Sequence, residues 1–254
     1  QFVHGKNRNK ERFTSGAGLF YEDIAKYIFN SNQATGKVMG LSSFGEGENV
    51  SDPQGFLDNL DMSKSFKGKG KTQWEESPNL KLYKNLATTA QNFYQDIISQ
   101  RVHNIKKKYP KVDNLIITGG CALNCVSNWD ILKSKIFSNV YIPSIPDDRG
   151  ISFGLSSYLM IKDNLIPEVT PYKDQQTYWG LKSSVPNEPA IKDIFRGYKI
   201  TKPSNIIKFT AEKINQNKII GWFQGRSEVG ARALGNRSIV AKVNYPNLKD
   251  TLNS

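Results

Sequence analysis

The fold is decided by residues 114–161, whose sequence is NLIITGGCALNCVSNWDILKSKIFSNVYIPSIPDDRGISFGLSSYLMI. The apolar run at 114–118 predicts a buried parallel strand, and the residues around 122–134 have helical character. A second strand is predicted at 140–142, and an apolar helix is predicted at 150–161. Strand, helix, strand and helix at this spacing predict an α/β fold with a parallel sheet and right-handed crossovers.

The flanking segments extend this pattern. Apolar residues at helical spacing predict amphipathic helices at 16–29 and 86–107, whereas the polar stretch 50–77 between them predicts a surface excursion. After residue 163 the chain is rich in proline and polar residues, which indicates a connector and a domain boundary near 165–185. Beyond this boundary we predict helices at 191–195 and 206–215, strands at 218–223 and 238–243, and a helical ending at 248–254.

Composition narrows the class of partner. The chain has 254 residues, with 35 Lys+Arg against 23 Asp+Glu and a formal charge of +12. Such a charge is typical of proteins that bind nucleic acid, an anionic surface or a phosphorylated small molecule, but we interpret it mainly as solvated lysines. A hydrophobic content of 38% supports a packed core, and no apolar run approaches the roughly 18 residues of a membrane span. Residues 1–6 contain no apolar signal segment, and two cysteines form no disulfide framework, so we expect a cytoplasmic location.

The first candidate site is GGCALNCVSN at residues 119–128. Its two glycines let a ligand approach the backbone, and the helix that follows offers free N–H groups to a phosphate or ribose. Asn124 and Asn128 are one helical turn apart, so both are expected to reach a bound nucleotide. The alternative is a tight strand-to-helix turn. Cys121 and Cys125 are interpreted as small core residues, because the chain has too few cysteines for a sulfur-rich metal site.

The second candidate site is PDDRG at residues 146–150, which contains Asp148 and Gly150. It follows the second predicted strand, and open α/β sheets bind ligands at the carboxyl ends of their strands. An aspartate at this place can ligate a metal or hold a hydroxyl group. The alternative is that it caps the helix that follows.

The third candidate site is GWFQGRSEVGARALGNRS at residues 221–238. Three of the chain's eight arginines, Arg226, Arg232 and Arg237, lie here among four glycines, whereas the lysines are spread widely. Folded glycine-rich backbone forms anion-binding concavities, and the guanidinium fork matches phosphate oxygens. The Gly-Lys-Ser/Thr ending of a Walker A loop is missing. An ordinary loop with surface arginines is the alternative.

Four blocks, in one order, resemble the carbamoyltransferases of the NodU/CmcH/TobZ family. They are GKVMGL at 36–41, GGxALNCxxN at 119–128, DxG at 148–150 and GRxExGxRALGxRS at 225–238. The resemblance implies two α/β domains, one of the ASKHA type (actin/Hsp70-like, ribonuclease H-like) and one YrdC-like. It places the second lobe of the ASKHA-type domain at 1–170, a connector at 171–205 and the beginning of the YrdC-like domain at 206–254.

The resemblance also implies the chemistry. In this family the YrdC-like domain converts carbamoyl phosphate and ATP to carbamoyladenylate. The ASKHA-type domain, with bound iron, then passes the carbamoyl group to a hydroxyl of a natural product or sugar. The residues that this resemblance assigns to the nucleotide are Gly119, Gly120, Asn124, Asn128, Gly150 and Lys37. It assigns the metal to Asp148, and carbamoyl phosphate or nucleotide phosphates to Arg226, Arg232 and Arg237.

The chain also departs from the family pattern. His4 is in no His-x-x-x-His pattern, so it is given no ligand role, and the histidine ligands of the metal are not identified in the chain. The chain is therefore expected to be the middle of a longer enzyme, with little activity alone. One alternative is an ASKHA-type nucleotide-binding module without catalysis. Another is a basic nucleic-acid-binding protein, which we disfavour because no nucleic-acid-binding motif is present. Neither nucleic acid nor a membrane is expected as a partner.

Overall fold

The computed structural model describes residues 16–165, 177–181, 187–230 and 232–253, and the chain divides into two compact units between Asp148 and Arg149. The described part is mixed α/β, mostly helical, with two small sheets. The predicted mixed class is confirmed at this level. The ASKHA-type and YrdC-like assignments, and the three predicted domain ranges, stay predictions.

The first unit is organised by one long helix. Its helices and strands are α1 (Ala17–Phe29), α2 (Thr35–Leu41), α3 (Pro53–Asp58), α4 (Gly70–Glu75), α5 (Leu80–Lys108), β1 (Asn114–Ile116), α6 (Cys125–Ser134) and β2 (Asn139–Tyr141). Helix α5 has 29 residues and packs against α1, α2 and α6. The two predicted amphipathic helices are confirmed as α1 and α5, although α5 begins at Leu80 rather than at residue 86.

The core of the first unit lies between α1 and α5. Phe20, Ile24 and Ile28, which follow the helical spacing of α1, are completely buried and pack with Tyr83 and neighbouring residues of α5. The rings of Phe20 and Phe93 lie 4.6 Å apart between their centroids in a tilted arrangement. Burial of these apolar side chains is the main stabilising contribution to the unit.

The polar stretch at residues 50–77 is only partly the surface excursion that its composition predicted. It contains α3 and α4, and two of its aromatic residues pack on α1. Trp74 stacks on Phe29 with ring centroids 5.1 Å apart, and its Nε1–H donates to the carbonyl of Ile28 at 2.9 Å. Phe56 lies 6.0 Å from Phe20 between ring centroids. A few aromatic residues therefore anchor a segment whose average composition is polar.

The sheet of the first unit confirms the predicted parallel pairing. Strands β1 and β2 run parallel, with Leu115 opposite Val140. The prediction that β1 is buried is wrong, because Ile116 is 68% exposed. Only the face that carries Leu115 and Ile117 packs against the small cluster around Val102 of α5.

The second unit contains short helices and an antiparallel strand pair. Its elements are α7 (Ile151–Lys162), α8 (Glu188–Ile194), α9 (Ile206–Asn215), β3 (Ile220–Phe223), β4 (Arg237–Val240) and α10 (Leu248–Asn253). Ile220 pairs with Val240 and Phe223 with Arg237, so the segment between β3 and β4 returns on itself. Helix α9 has the predicted bounds, and both strands are shorter than predicted. None of the helices described here is long and apolar enough to cross a lipid bilayer.

Candidate functional site

The turn after β1 is joined to the loop after β2. Gly119 has φ 94° and ψ 165°, a conformation that glycine adopts at low cost. Its N–H donates to the carbonyl of Pro146 at 2.7 Å, and the hydroxyl of Thr118 donates to the same carbonyl at 3.1 Å. Pro146 precedes Asp148 by two residues. The structure therefore brings the first two candidate motifs together at the carboxyl edge of the parallel pair, where such sheets bind ligands.

A buried amide network lies behind this turn. Gln91 of α5 and Asn124 are both buried, and the Asn124 Nδ2 donates to Gln91 Oε1 at 3.0 Å. Asn124 Oδ1 also accepts the N–H of Ser127 at 3.0 Å, which caps the N-terminus of α6. The hydroxyl of Tyr21 in α1 donates to Gln91 Oε1 at 2.8 Å. The hydroxyl of Tyr94 in α5 donates to the carbonyl of Cys121 at 2.7 Å, so α1 and α5 both support the turn.

The side chains of the two asparagines make their hydrogen bonds within the protein. Asn124 is used by the cap and by Gln91, and Asn128 is half-buried with its Nδ2 donating to the carbonyl of Ala122 at 2.8 Å. Gly119 and Gly120 are exposed instead, and a Cβ at either glycine would meet no atom within 4 Å. The backbone of the glycines is thus open to a ligand. Nucleotide contact by the asparagine side chains stays a prediction.

The two cysteines do not occupy the core. Cys121 and Cys125 are both exposed, so their interpretation as small core residues is wrong. The 3-10 turn at Gly120–Leu123 and the first turn of α6 direct Ala122, Asn124 and Ser127 inward instead.

Cys125 also connects two of the family-like blocks. Its Sγ lies 3.9 Å from Met39 Sδ of α2, so the block at 36–41 contacts the block at 119–128. Lys37 of the same helix is exposed, and its Nζ lies 5.8 Å from the ring centroid of Phe29.

Asp148 begins a short 3-10 helix, Asp148–Gly150, and is exposed. Gly150 is the N-cap residue of α7, and no side chain caps that helix, so Asp148 is not its side-chain cap.

Within the described ranges, no three His, Cys, Asp or Glu residues come together as a set of metal ligands, and His4 lies outside those ranges. The described residues therefore do not fit the implied iron centre. Asp148 as a metal ligand stays a prediction.

The third candidate motif folds as a braced loop. We call residues 224–237 the arginine loop. Its first half pairs with residues 177–181, which fall inside the predicted connector. The N–H of Gly180 donates to the carbonyl of Ser227 at 3.0 Å, and the N–H of Val229 donates to the carbonyl of Thr177 at 2.7 Å. The hydroxyl of Tyr178 donates to the carbonyl of Leu234 at 2.8 Å in the second half.

The three arginines of the loop make different contacts. The guanidinium carbon of Arg237 lies 3.5 Å from the ring centroid of Phe223, and its Nη1 donates to the carbonyls of Gln224 at 2.7 Å and Asn236 at 2.9 Å. Arg237 therefore braces the base of the loop. Arg226 is exposed, and its Nη1 donates to the Gly180 carbonyl at 3.1 Å. Arg232 is exposed near the far end of the loop. Anion binding by the three arginines stays a prediction.

Glu228 is the loop residue that the sequence did not single out. Its Oε1 accepts the N–H groups of Leu234 at 2.7 Å, Asn236 at 2.8 Å and Arg237 at 3.2 Å. Loss of hydration alone would raise the pKa of Glu228, but backbone N–H groups, led by that of Asn236, lower the pKa to about 2. The carboxylate therefore stabilises the fold fully above the unfolded-state pKa of about 4.3, and this contribution is lost as pH falls toward 2.

The sequence does contain a signal that could have identified Glu228 as a structural residue of the loop. It is the single acidic residue among three arginines, so ion pairing is the obvious expectation for it. The glycines at 225, 230 and 235 all have positive φ, which turns the backbone back toward the carboxylate. A glycine-rich loop that contains one carboxylate can therefore use that carboxylate for its own N–H groups.

Comparison with known proteins covers nearly the whole chain. Residues 4–156 match the family model described as Carbamoyltransferase N-terminus, and residues 211–254 match the one described as Carbamoyltransferase C-terminus. Nodulation protein NolNO of Sinorhizobium fredii is 27% identical, over 93% of this chain and 36% of that protein. Nodulation protein NolO of Bradyrhizobium diazoefficiens is 26% identical, over 93% of this chain and 45% of that protein.

Nodulation protein U of Rhizobium fredii is 32% identical, over 57% of this chain and 23% of that protein. The chain therefore spans between 23% and 45% of the length of these three relatives. The family model of the N-terminal region alone covers more than half of the 254 residues, and all four family-like blocks lie in the matched segments. On these matches, the chain belongs to the carbamoyltransferase family.

Proposed function

We propose that the chain is the part of an O-carbamoyltransferase that binds carbamoyl phosphate and ATP and passes a carbamoyl group to an acceptor hydroxyl. In a balanced sequence, water releases phosphate from carbamoyl phosphate, and the resulting carbamate oxygen attacks the α-phosphorus of ATP. Pyrophosphate leaves and carbamoyladenylate forms. The acceptor hydroxyl oxygen then attacks the carbamoyl carbon, the proton of the hydroxyl is lost, and AMP leaves. The acceptor class is a natural product or sugar hydroxyl.

The arginine loop carries this proposal. Arg226 and Arg232 are exposed on a loop whose two halves are held by Glu228, Tyr178 and the backbone of residues 177–181. Guanidinium groups on a braced backbone are suited to phosphate oxygens, because little further ordering is needed when the anion binds. The residues from 211 onward belong to the part matched by the C-terminal family model, which supports a YrdC-like, adenylate-forming domain here.

The edge of the first sheet is the proposed place for the adenylate and the acceptor. Gly119 and Gly120 expose backbone there, and Asp148 lies two residues beyond the carbonyl that holds the turn. Exposed backbone at the carboxyl edge of parallel strands suits a nucleotide, which supports an ASKHA-type lobe over 1–170. The family resemblance implies iron as well. Since the described residues do not fit that centre, no step of the proposal depends on it.

The test is calorimetric titration of the chain with carbamoyl phosphate. We expect R226Q and R232Q each to weaken binding about tenfold or more, since a hydrogen bond to a charged group contributes roughly 1.5–3 kcal/mol. The matched control is R196Q, because Arg196 is an exposed arginine of the same unit that pairs with Asp193 at 2.6 Å. Equal binding by wild type, R226Q and R232Q, or an equal loss in R196Q, would contradict the assignment.

A further inference from the structure

We propose that Glu228 is a positioning residue, which closes the arginine loop and thereby holds Arg232 where it meets the phosphate of the substrate. The inference rests on the proposed function for the identity of that substrate. Glu228 itself is not expected to touch the substrate, because its carboxylate is already engaged by the backbone of the loop.

The first argument is the placement of the three hydrogen bonds. They all run from the carboxylate of Glu228 to N–H groups at 234, 236 and 237, on the returning half of the loop. The bond from Leu234 closes a short segment, 228–234, which contains Arg232. Closing a segment restricts its backbone, so Arg232 projects from a narrower range of backbone conformations than it would in an open loop.

The second argument is charge. An ionised carboxylate near Arg226, Arg232 and Arg237 would ordinarily attract a guanidinium group and compete with an incoming anion. Here Oε1 is directed at backbone N–H groups, and charge-assisted bonds of this kind are about twice as strong as neutral ones. The carboxylate therefore orders the loop while the guanidinium of Arg232 stays exposed.

The third argument is that further hydrogen bonds hold the returning half of the loop in place around the carboxylate. Asn236 donates from Nδ2 to the carbonyl of Arg226 at 2.6 Å, and Gly235 donates its N–H to the hydroxyl of Ser238 at 3.0 Å. Gly235 has φ 107°, a conformation that disfavours other residues. These contacts hold the returning half of the loop in the conformation that directs the N–H groups of Leu234, Asn236 and Arg237 at Glu228.

The experiment combines amide exchange with anion binding on the whole chain. In E228A we expect hydrogen exchange at Leu234, Asn236 and Arg237 to become at least tenfold faster, and the Kd for carbamoyl phosphate to rise about tenfold. E228Q keeps an acceptor oxygen without the charge, so its effects should be smaller. Added formate should restore part of the E228A loss, because a free carboxylate fills the same place. The control is E212A, at an exposed glutamate of α9.

A double-variant cycle separates positioning from general support of the fold. If Glu228 acts through Arg232, E228A should change the Kd less than twofold in the R232Q background. Unchanged exchange at the three amides in E228A would overturn the proposal. So would an E228A loss as large in R232Q as in the wild type. Slow exchange at α9 amides serves as the check that each variant is folded.

The same titrations distinguish this inference from the proposed function. Inorganic phosphate is used as a second probe beside carbamoyl phosphate. One outcome is that the wild type binds inorganic phosphate but not carbamoyl phosphate, and that E228A and R232Q both weaken the binding of phosphate. This outcome would contradict the proposed substrate and support the positioning role. Binding of carbamoyl phosphate that is insensitive to E228A would do the reverse.

Discussion

The buried amide of Asn124 is one of the groups that hold the glycine turn to the rest of the first unit. Its oxygen accepts from Ser127 N–H and its nitrogen donates to Gln91, which in turn accepts from Tyr21. Burial raises the pKa of Tyr21, so this phenol stays a neutral donor at physiological pH. The turn therefore depends on α1 and α5, although it belongs to neither helix.

We expect N124A to destabilise the first unit by about 2–4 kcal/mol. The loss of an N-cap costs about 1 kcal/mol, and a buried amide left without its partner costs a further 1–3 kcal/mol. Urea unfolding followed by circular dichroism measures the change. The matched control is D52A, because Asp52 is an exposed N-cap of the same unit. A loss in N124A no larger than that in D52A would show that the network contributes nothing beyond the cap.

The candidate site was only partly predictable from residue types. Arginines among glycines drew attention to the loop at 224–237, but their spacing does not say that Arg237 stacks on Phe223 and braces carbonyls. Two asparagines one turn apart pointed to a shared face, but not to the direction of that face. Long-range partners such as Gln91 decide this direction, and they lie more than 30 residues away in the sequence.

At the scale of an element, the turn between β1 and α6 contains two glycines that differ in backbone conformation. Substitutions at the two positions can therefore test backbone strain and ligand approach separately. Gly119 has φ 94°, whereas Gly120 is outside the positive-φ region, and a Cβ on either residue would meet no atom within 4 Å. The two glycines are neighbours in the same turn. They therefore form a natural pair of test positions.

We expect G119A to destabilise the first unit by roughly 1–2 kcal/mol, because alanine disfavours positive φ. G120A should leave the stability within about 0.5 kcal/mol, as for a substitution away from strained positions. If a nucleotide lies against this backbone, G120A should nevertheless weaken ATP binding. Urea unfolding and ATP titration together give both values. Full ATP affinity in G120A would place the nucleotide elsewhere.

Elements with strong local signals were predicted best. Helix α9 begins after Asn205, whose side chain accepts the N–H of Lys208, and its predicted bounds are confirmed. The polar stretch at 50–77 was harder, since its structure depends on contacts such as Trp74 with Phe29. The exposure of Ile116 in β1 was missed as well, because an apolar run does not show which of its faces is covered.

At the scale of the whole molecule, lysines supply most of the positive charge behind the net +12, since only eight of the 35 basic residues are arginines. Several lie over aromatic rings, as Lys133 does over Trp129 and Lys213 over Phe209, each with Nζ 5.3 Å from the ring centroid. Long aliphatic stems commonly cover apolar surface in this way while the ammonium group stays in water. The net charge is therefore a weaker guide to the partner than the position of Arg226 and Arg232.

The most direct measurement of the central claim is calorimetric titration of the whole chain with ATP, in the presence and absence of carbamoyl phosphate. A chain that forms carbamoyladenylate should bind both ligands, and carbamoyl phosphate should change the apparent affinity for ATP by several-fold. ATP binding with the same Kd at every concentration of carbamoyl phosphate would instead indicate a nucleotide-binding module and contradict the account.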